Sequence, residues 1–368
     1  MGKTCGEIIA VLEELAPPAL AEEGDRIGLQ FGRADQAVDR LLLCLDVTPA
    51  VVEEAAQQGA QMLVTHHPPL GRPLTSLEED RPDAALAAAL VRRGLAVYVL
   101  HTNWDRAPAG VNACLARALG LSEVEPLAEA EEGFFYKLVT FVPQGYEDQV
   151  RQALAEAGAG VIGAYSHCSF QTAGTGTFKP LPGASPFIGS EGQLEHVEEF
   201  RLEMLLPRYR LARVLQALRR AHPYEEVAFD VYPLANRPAG AGLGAVGNLA
   251  SAMTLGDFAG RVKEALGVSP VRLVGDPARP VRRVAVCGGS GGTLLKAAQK
   301  KRAEVLVTGD LKYHQALEAR ALGLAVIDAG HGATERVSLP SLARALEAAL
   351  PELEVRLSTV EGEPWRYW

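Results

Sequence analysis

The chain has 368 residues, of which 48% are hydrophobic and 22% charged, with a net charge of −9. That length exceeds the size at which a single hydrophobic core stops growing, so two domains or a two-lobed body with an insertion is expected. The acidic balance argues against nucleic acid as a partner, because a phosphate-binding face needs clustered Lys and Arg. No apolar stretch is long enough to cross a bilayer and no charged-then-apolar leader opens the chain, so a cytoplasmic protein with no membrane partner is expected. Cys5, Cys44, Cys114, Cys168 and Cys287 are scattered and odd in number, with no C-x-x-C pair. They read as reduced thiols, with Cys44 and Cys287 in the core, and any metal must use nitrogen and oxygen ligands.

Thr4 with Glu7 three residues on forms a capping box, and apolar residues at helical spacing (Ile8, Ile9, Val11, Leu12, Leu15) continue the helix until Pro17 and Pro18 stop it. A strand over Leu41 to Val47 leads through Thr48 and Pro49 into a helix to about Gln58. A strand at Gln61 to Thr65, a helix from about Pro82 to Arg93, a strand from Leu95 to Leu100 and a helix from about Val111 to Leu119 follow. The glutamate-rich stretch Glu123 to Glu132 introduces a segment of different character. Its strand (Tyr136 to Val142), helix (Glu147 to Ala157), strand (near Ser166 to Gln171), strand (Glu198 to Leu206), helix (Leu211 to Ala221) and strand (Val227 to Tyr232) follow the split βαβ pattern of a ferredoxin-like domain. Strands at Arg283 to Cys287, Glu304 to Thr308 and Leu324 to Asp328 then alternate with helices, the last running from about Thr334 to Leu350. The predicted fold is a three-layer α/β body with a mostly parallel sheet, made by residues 1–129 and 236–368 and interrupted by a ferredoxin-like α+β insertion at 130–235.

Open α/β sheets bind ligands outside the carboxyl ends of their strands. Val64-Thr65-His66-His67-Pro68-Pro69 places two imidazoles there, pointing in divergent directions, so two metals about 3.5 to 4 Å apart can take one each where a single metal cannot readily take both. The next strand ends in His101-Thr102-Asn103-Trp104-Asp105. The last strand runs into Asp328-Ala329-Gly330-His331-Gly332-Ala333-Thr334-Glu335, where a helix starting near Gly332 would bring His331 and Glu335 together at its N-terminal end. Three His, one Asp and one Glu suit divalent Zn, Fe, Mn, Co or Ni better than calcium, which prefers oxygen alone. His101 is a candidate base or supporting group, and Asp25, Lys312 and His314 are further candidates. A rival lies in Gly288-Gly289-Ser290-Gly291-Gly292, which matches the G-x-S-x-G nucleophile elbow with Asp310 or Asp328 and then His331 downstream. It leaves His66, His67 and Asp105 unexplained.

Together Gly24-Asp25-Arg26-Ile27-Gly28-Leu29-Gln30, Thr65-His66-His67-Pro68, His101-Thr102-Asn103-Trp104-Asp105, Gly309-Asp310-Leu311-Lys312-Tyr313-His314 and Asp328 to Arg336 resemble the Nif-three-like dinuclear metal family, the GTP cyclohydrolase I type 2 homologues. The resemblance covers nearly the whole chain. It implies that His66 and Asp105 bind one metal and His67 and His331 the other, with Glu335 bridging. Residues 130–235, including Ala221-His222-Pro223-Tyr224-Glu225-Glu226-Val227, resemble the PII-like and CutA-like insertion of some members. Trp104 departs from the smaller aliphatic residue expected there and would narrow the site. The resemblance also implies a toroidal homohexamer, built as a trimer of dimers. The expected function is dinuclear metal-dependent hydrolysis of an unidentified small molecule, nucleotide-related or cyclohydrolase-like, by metal-activated water. A non-catalytic metal-binding or regulatory protein is the alternative, and a serine hydrolase acting through Ser290 is the third reading.

Overall fold

In the computed structural model residues 2–129, 133–360 and 364–365 are described. Short apolar runs build its first sheet: Arg40–Cys44, Met62–Thr65 and Ala96–Val99 lie side by side in parallel. Glu354–Leu357 joins one side in parallel and Gly28–Phe31 the other antiparallel. Nearly every residue of the three central strands is buried, as expected of strands covered on both faces. On one face Leu42, Leu63 and Val97 pack with Val52 and Leu90 of the helices Pro49–Gln58 and Pro82–Arg92. The first of these helices starts where Thr48 accepts a hydrogen bond from the Val51 amide and ends at left-handed Gly59, the expected pair of punctuation signals. The helix Leu339–Ala349 packs on Arg40–Cys44 and Glu354–Leu357, beside the helix Cys5–Leu15. The Thr4–Glu7 capping box is present in both directions.

A second, six-stranded sheet takes five strands from the second half of the body and one from the first, so the body holds two mixed sheets where the sequence suggested one. Pro280–Ser290, Val305–Gly309 and Ala325–Asp328 are parallel neighbours. Arg272–Val274 lies antiparallel on one side, and Gly242–Thr254 followed by Ser122–Glu129 on the other. The glutamate-rich stretch is thus largely a strand, not a linker. Its partner Gly242–Thr254 carries no β-branched run and escapes a pattern reading, whereas the helix Leu255–Leu266 after it does carry a Thr254 cap, apolar residues at helical spacing and a terminal Gly267. The strand's glycines have a steric reason: a Cβ at Gly247 would meet the Ser122 carbonyl at 2.8 Å, and one at Gly242 would collide with the Ala128 carbonyl. The predicted last helix is two helices, His331–Arg336 and Leu339–Ala349. Pro340 has no amide hydrogen and cannot continue a helix through that point.

The chain forms two compact units, a body, Met1–Ala130 with Ala239–Trp368, and an insertion, Glu131–Pro238. The insertion runs Phe135–Pro143, Glu147–Glu156, Ser169–Phe178, Glu195–Pro207, Leu211–Ala221 and Phe229–Pro233. Numbered in order, its strands stand 4-1-3-2 in an antiparallel sheet, the ferredoxin-like arrangement. Leu138, Val142, Leu202, Met204 and Leu206 pack from the sheet against Val150, Leu154, Val214 and Leu218 of the helices. No helix among the described residues is long and apolar enough to cross a membrane.

One buried side chain ties the two sheets together. Asn112 donates to the Asp105 carbonyl at 2.8 Å and accepts from the Gly288 amide at 2.9 Å. Asn112→Ala leaves both backbone groups unpaired, so urea denaturation should show a loss of about 3 kcal/mol. A change below about 0.5 kcal/mol would show that water replaces the amide.

Candidate metal centre

The carboxyl ends of both sheets' parallel strands supply the cluster. His66 and His67 follow Met62–Thr65, and Thr65 Oγ1 donates back to the Leu45 carbonyl at 2.9 Å, fixing the strand end. His101 caps the short helix Thr102–Arg106, which carries Asp105. Asn103, fully buried, accepts from the His101 amide at 3.0 Å and donates to the Ala16 carbonyl at 2.7 Å, clamping that turn. His331 opens the helix that places Glu335 one turn later.

Each imidazole is held from outside the cluster. Nδ1 of His66 lies 2.8 Å from the Leu100 carbonyl, that of His67 2.8 Å from Asp46, that of His331 3.0 Å from Asp310 and that of His101 2.9 Å from Asp25. A carbonyl only accepts, so His66 carries its proton on Nδ1 and turns an Nε2 lone pair inward. This is how ligand histidines are oriented in metalloproteins. Their inner atoms converge in three groups within 4.8 Å: His66 with Asp105 and Glu335, His67 with His331 and Glu335, and His66 with His67 and His101.

The electrostatics are those of a cation site. Glu335 is 3% exposed. Its Oε1 lies 3.1 Å from His331 Nε2 and 3.6 Å from His66 Nε2, and its Oε2 lies 3.2 Å from His67 Nε2. His66 Nε2 and Asp105 Oδ1 are buried without a hydrogen-bond partner. His66 Nε2 and Asp105 Oδ1 stand 3.6 Å apart, too far for a hydrogen bond. Inward-facing acceptors in a buried space are costly unless a proton or metal ion joins them. The protonation equilibria say the same. Burial raises Asp105 to about 6. Burial opposes charge on His67, yet Asp46 and Glu335 outweigh it and lift the ring to about 10. The Glu335 hydrogen bond lifts His331 to about 9. Despite its burial, Glu335 is held well below the carboxylate range by the three rings around it.

The predicted candidates divide clearly. His66, His67, Asp105, His331 and Glu335 come together, and His101 joins them with Asp25 behind it. His314 and Lys312 are exposed at the start of the helix Tyr313–Ala321 and stand outside the three groups. Trp104 is buried, its indole donating to Ser338 Oγ at 3.1 Å. Asp46 was missed as an orienting group, although it lies at a strand's carboxyl end like the others. Asp328 proves to be a loop organiser: Oδ2 accepts from the Leu311 amide at 2.9 Å and Oδ1 from the Gly330 amide at 3.1 Å, fixing the turns that carry Asp310 and His331.

The glycine-rich turn also finds its reason here. Ser290 is exposed and makes no side-chain hydrogen bond to a histidine, and both nitrogens of His331 face carboxylates. Gly289, at φ +62°, passes so close to Glu335 that a Cβ would collide with its carboxylate, and one at Gly291 would collide with Cys287 and Thr308. The glycines make room for Glu335 and its support.

Comparison with known proteins decides the family. The family model Duf34/NIF3 (NGG1p interacting factor 3) matches residues 3–364. The chain belongs to the Duf34/NIF3 family. A relative from Bacillus subtilis, named GTP cyclohydrolase 1 type 2 homolog, is 46% identical over 92% of this chain and 91% of that protein. A Mycobacterium bovis relative of the same name is 41% identical over 99% and 97%. Among solved structures, a Bacillus cereus protein related to NIF3 superposes with a TM-score of 0.83 at 42% identity, covering all of both chains. A Staphylococcus aureus protein superposes at 0.76 and 29% identity, covering 100% and 99%.

In this NIF3-family chain, Gly289→Ala should weaken zinc binding about tenfold or more, because it moves Glu335. Gly323→Ala, in the same left-handed conformation with open space around it, should cost about 1 kcal/mol of stability and leave zinc binding alone. Equal zinc affinity in both variants would remove Glu335 from the site.

Proposed function

We propose that His66 and Asp105 hold one divalent ion and His67 and His331 another, with Glu335 shared between them, and that the chain is a dinuclear metal-dependent hydrolase. The observation that carries this reading is the pair of buried, partnerless acceptors, His66 Nε2 and Asp105 Oδ1, beside the buried Glu335 carboxylate on converging strand ends. Nitrogen and carboxylate donors fit Zn, Fe, Mn, Co or Ni. When bound, a pair of such ions supplies Lewis acidity and brings the pKa of water toward neutrality. The residues supply the rest. Asp46, Asp310 and the Leu100 carbonyl hold three rings in a fixed tautomer and orientation. His101 has Nδ1 on Asp25 and its other nitrogen toward His66 and His67, where it can take or return a proton beside a substrate. Asp25 and the Thr102 hydroxyl keep that ring from turning. The name shared by the relatives supports a nucleotide-related or cyclohydrolase-like substrate.

Elemental analysis of the native protein should find about two divalent ions per chain, and His67→Ala should lose about one of them. Full retention by His67→Ala would sink the assignment. The raised histidines fix the sign of the pH dependence. Protons on His67 and His331 must leave when metal binds, so zinc affinity should climb about tenfold per pH unit for each displaced proton between roughly pH 6.5 and 8.5. A screen against nucleotides, phosphodiesters and cyclic amides tests the activity: turnover should vanish with chelation and return with metal. Full metal content with no turnover of any class would favour a metal-binding regulator.

We further propose the hexameric ring, on the family resemblance and on the open edges of the insertion's sheet, which closed symmetry can cover. Light scattering coupled to size exclusion should give about six chains per particle. A monomer or simple dimer across the micromolar range would refute it.

A further inference from the structure

The insertion carries its own cavity, far removed in chemistry from the histidine cluster. It measures about 770 Å³ and is lined by residues of the insertion alone. Its floor is the face of the sheet opposite the helices, where Gly174 of Ser169–Phe178 stands beside Glu199 of Glu195–Pro207. Its walls are mostly apolar, among them Phe178, Leu181, Phe187 and Ile188. The volume is in the range of small-molecule sites, which combine apolar walls with a few fixed polar groups.

The fixed polar group is Glu199, 9% exposed. Its Oε1 accepts from the Tyr224 hydroxyl at 2.9 Å, and among the described residues no Lys or Arg pairs with it. Two cationic side chains also line the cavity: Arg201 is engaged with Glu203, and the exposed Lys179 makes no ion pair with Glu199. Two features hold this carboxylate in place. Gly176 faces it so closely that any side chain there would collide with it. The His-Pro-Tyr-Glu-Glu segment, Ala221 to Val227, is a built support. His222 is buried, its Nε2 donating to the Phe141 carbonyl at 3.0 Å while Nδ1 accepts from the Tyr224 amide at 3.1 Å, which sets the tyrosine against Glu199. Glu225 accepts from the Ser185 amide at 2.8 Å, tying down the loop that roofs the cavity.

A carboxylate enclosed by apolar and aromatic walls without a cation of its own selects a positively charged partner, because an anion is repelled and a neutral group leaves the charge uncompensated. Aromatic rings in the wall favour a cation further. We propose that this cavity binds a small organic cation, an ammonium or amidinium group on an apolar body, with Glu199 as its anchor. The inference does not rest on the metal centre being catalytic.

Benzamidine is a suitable probe of the anchor, with benzyl alcohol as the neutral and benzoate as the anionic control, titrated by calorimetry into the full chain. Benzamidine should bind with saturation, about tenfold or more tighter than benzyl alcohol, and benzoate should not bind. Glu199→Gln should reduce benzamidine to the level of the alcohol. Gly174→Leu, at an exposed strand position whose Cβ meets nothing within 4 Å, should fill the cavity and abolish both, with an unchanged melting temperature. No saturable benzamidine binding by the unmodified chain, as when a second copy covers this face, would overturn the proposal. So would unchanged binding in Glu199→Gln or in Gly174→Leu.

Discussion

Glu335 governs the architecture of the body. A carboxylate held 3% exposed requires positive charge around it, and the fold meets that need with three imidazoles from two separate strand ends. The constraints spread outward from there. Gly289 must lack a side chain, Asp328 must pin two turns, and Asn112 must join the sheets so that the two groups of side chains meet at a fixed spacing. None of these residues is chemically expressive by itself, but each removes a freedom that the cluster cannot tolerate.

The arrangement also explains why residues from both ends of the chain are needed. One sheet presents His66, His67, His101 and Asp105, and the other presents His331 and Glu335. Neither sheet alone places two carboxylates and three rings within reach of one another. The outer hydrogen bonds of the rings run to groups on their own sheets, Asp46, Asp25 and Leu100 on the first and Asp310 on the second. Each sheet therefore orients its own side chains, and the contact between the sheets sets the distance between the two sets. Orientation and spacing are under separate control.

Much of this was legible in the sequence because the chemistry sits at punctuated places. His66-His67-Pro68-Pro69 and Gly330-His331 follow short apolar strands, and strand ends are readable from local pattern. The alternation of apolar strand and helix in the first 120 residues was readable for the same reason, as was the ferredoxin-like order of the insertion. The strand Gly242–Thr254 was not, since its glycines and alanines answer to a neighbouring strand more than a hundred positions away. The division of the body into two sheets is likewise a matter of tertiary pairing. Asp46 looked like any turn aspartate, and Asp328 like a catalytic one. Their roles are defined by backbone amides and rings distant in sequence, which periodicity does not report. The nucleophile-elbow match failed for a related reason, as its glycines serve a carboxylate that approaches from another element.

The junction of insertion and body has a consequence for how the chain folds. Glu129 and Gly242 are paired strand residues in the body. On the other side of the junction the Gly133 amide donates to the Leu234 carbonyl and the Leu234 amide to that of Phe135. Both ends of the intervening segment are thus held together twice. Once the insertion has formed, the second half of the body no longer searches for the first through a loop of more than a hundred flexible residues. It does so through a connection as short as a hairpin, and most of the closure entropy has already been overcome. In contact-order terms, strands that look remote along the chain become local. A folded insertion thereby acts as a clasp, which shortens the search of the two ends of the chain for each other.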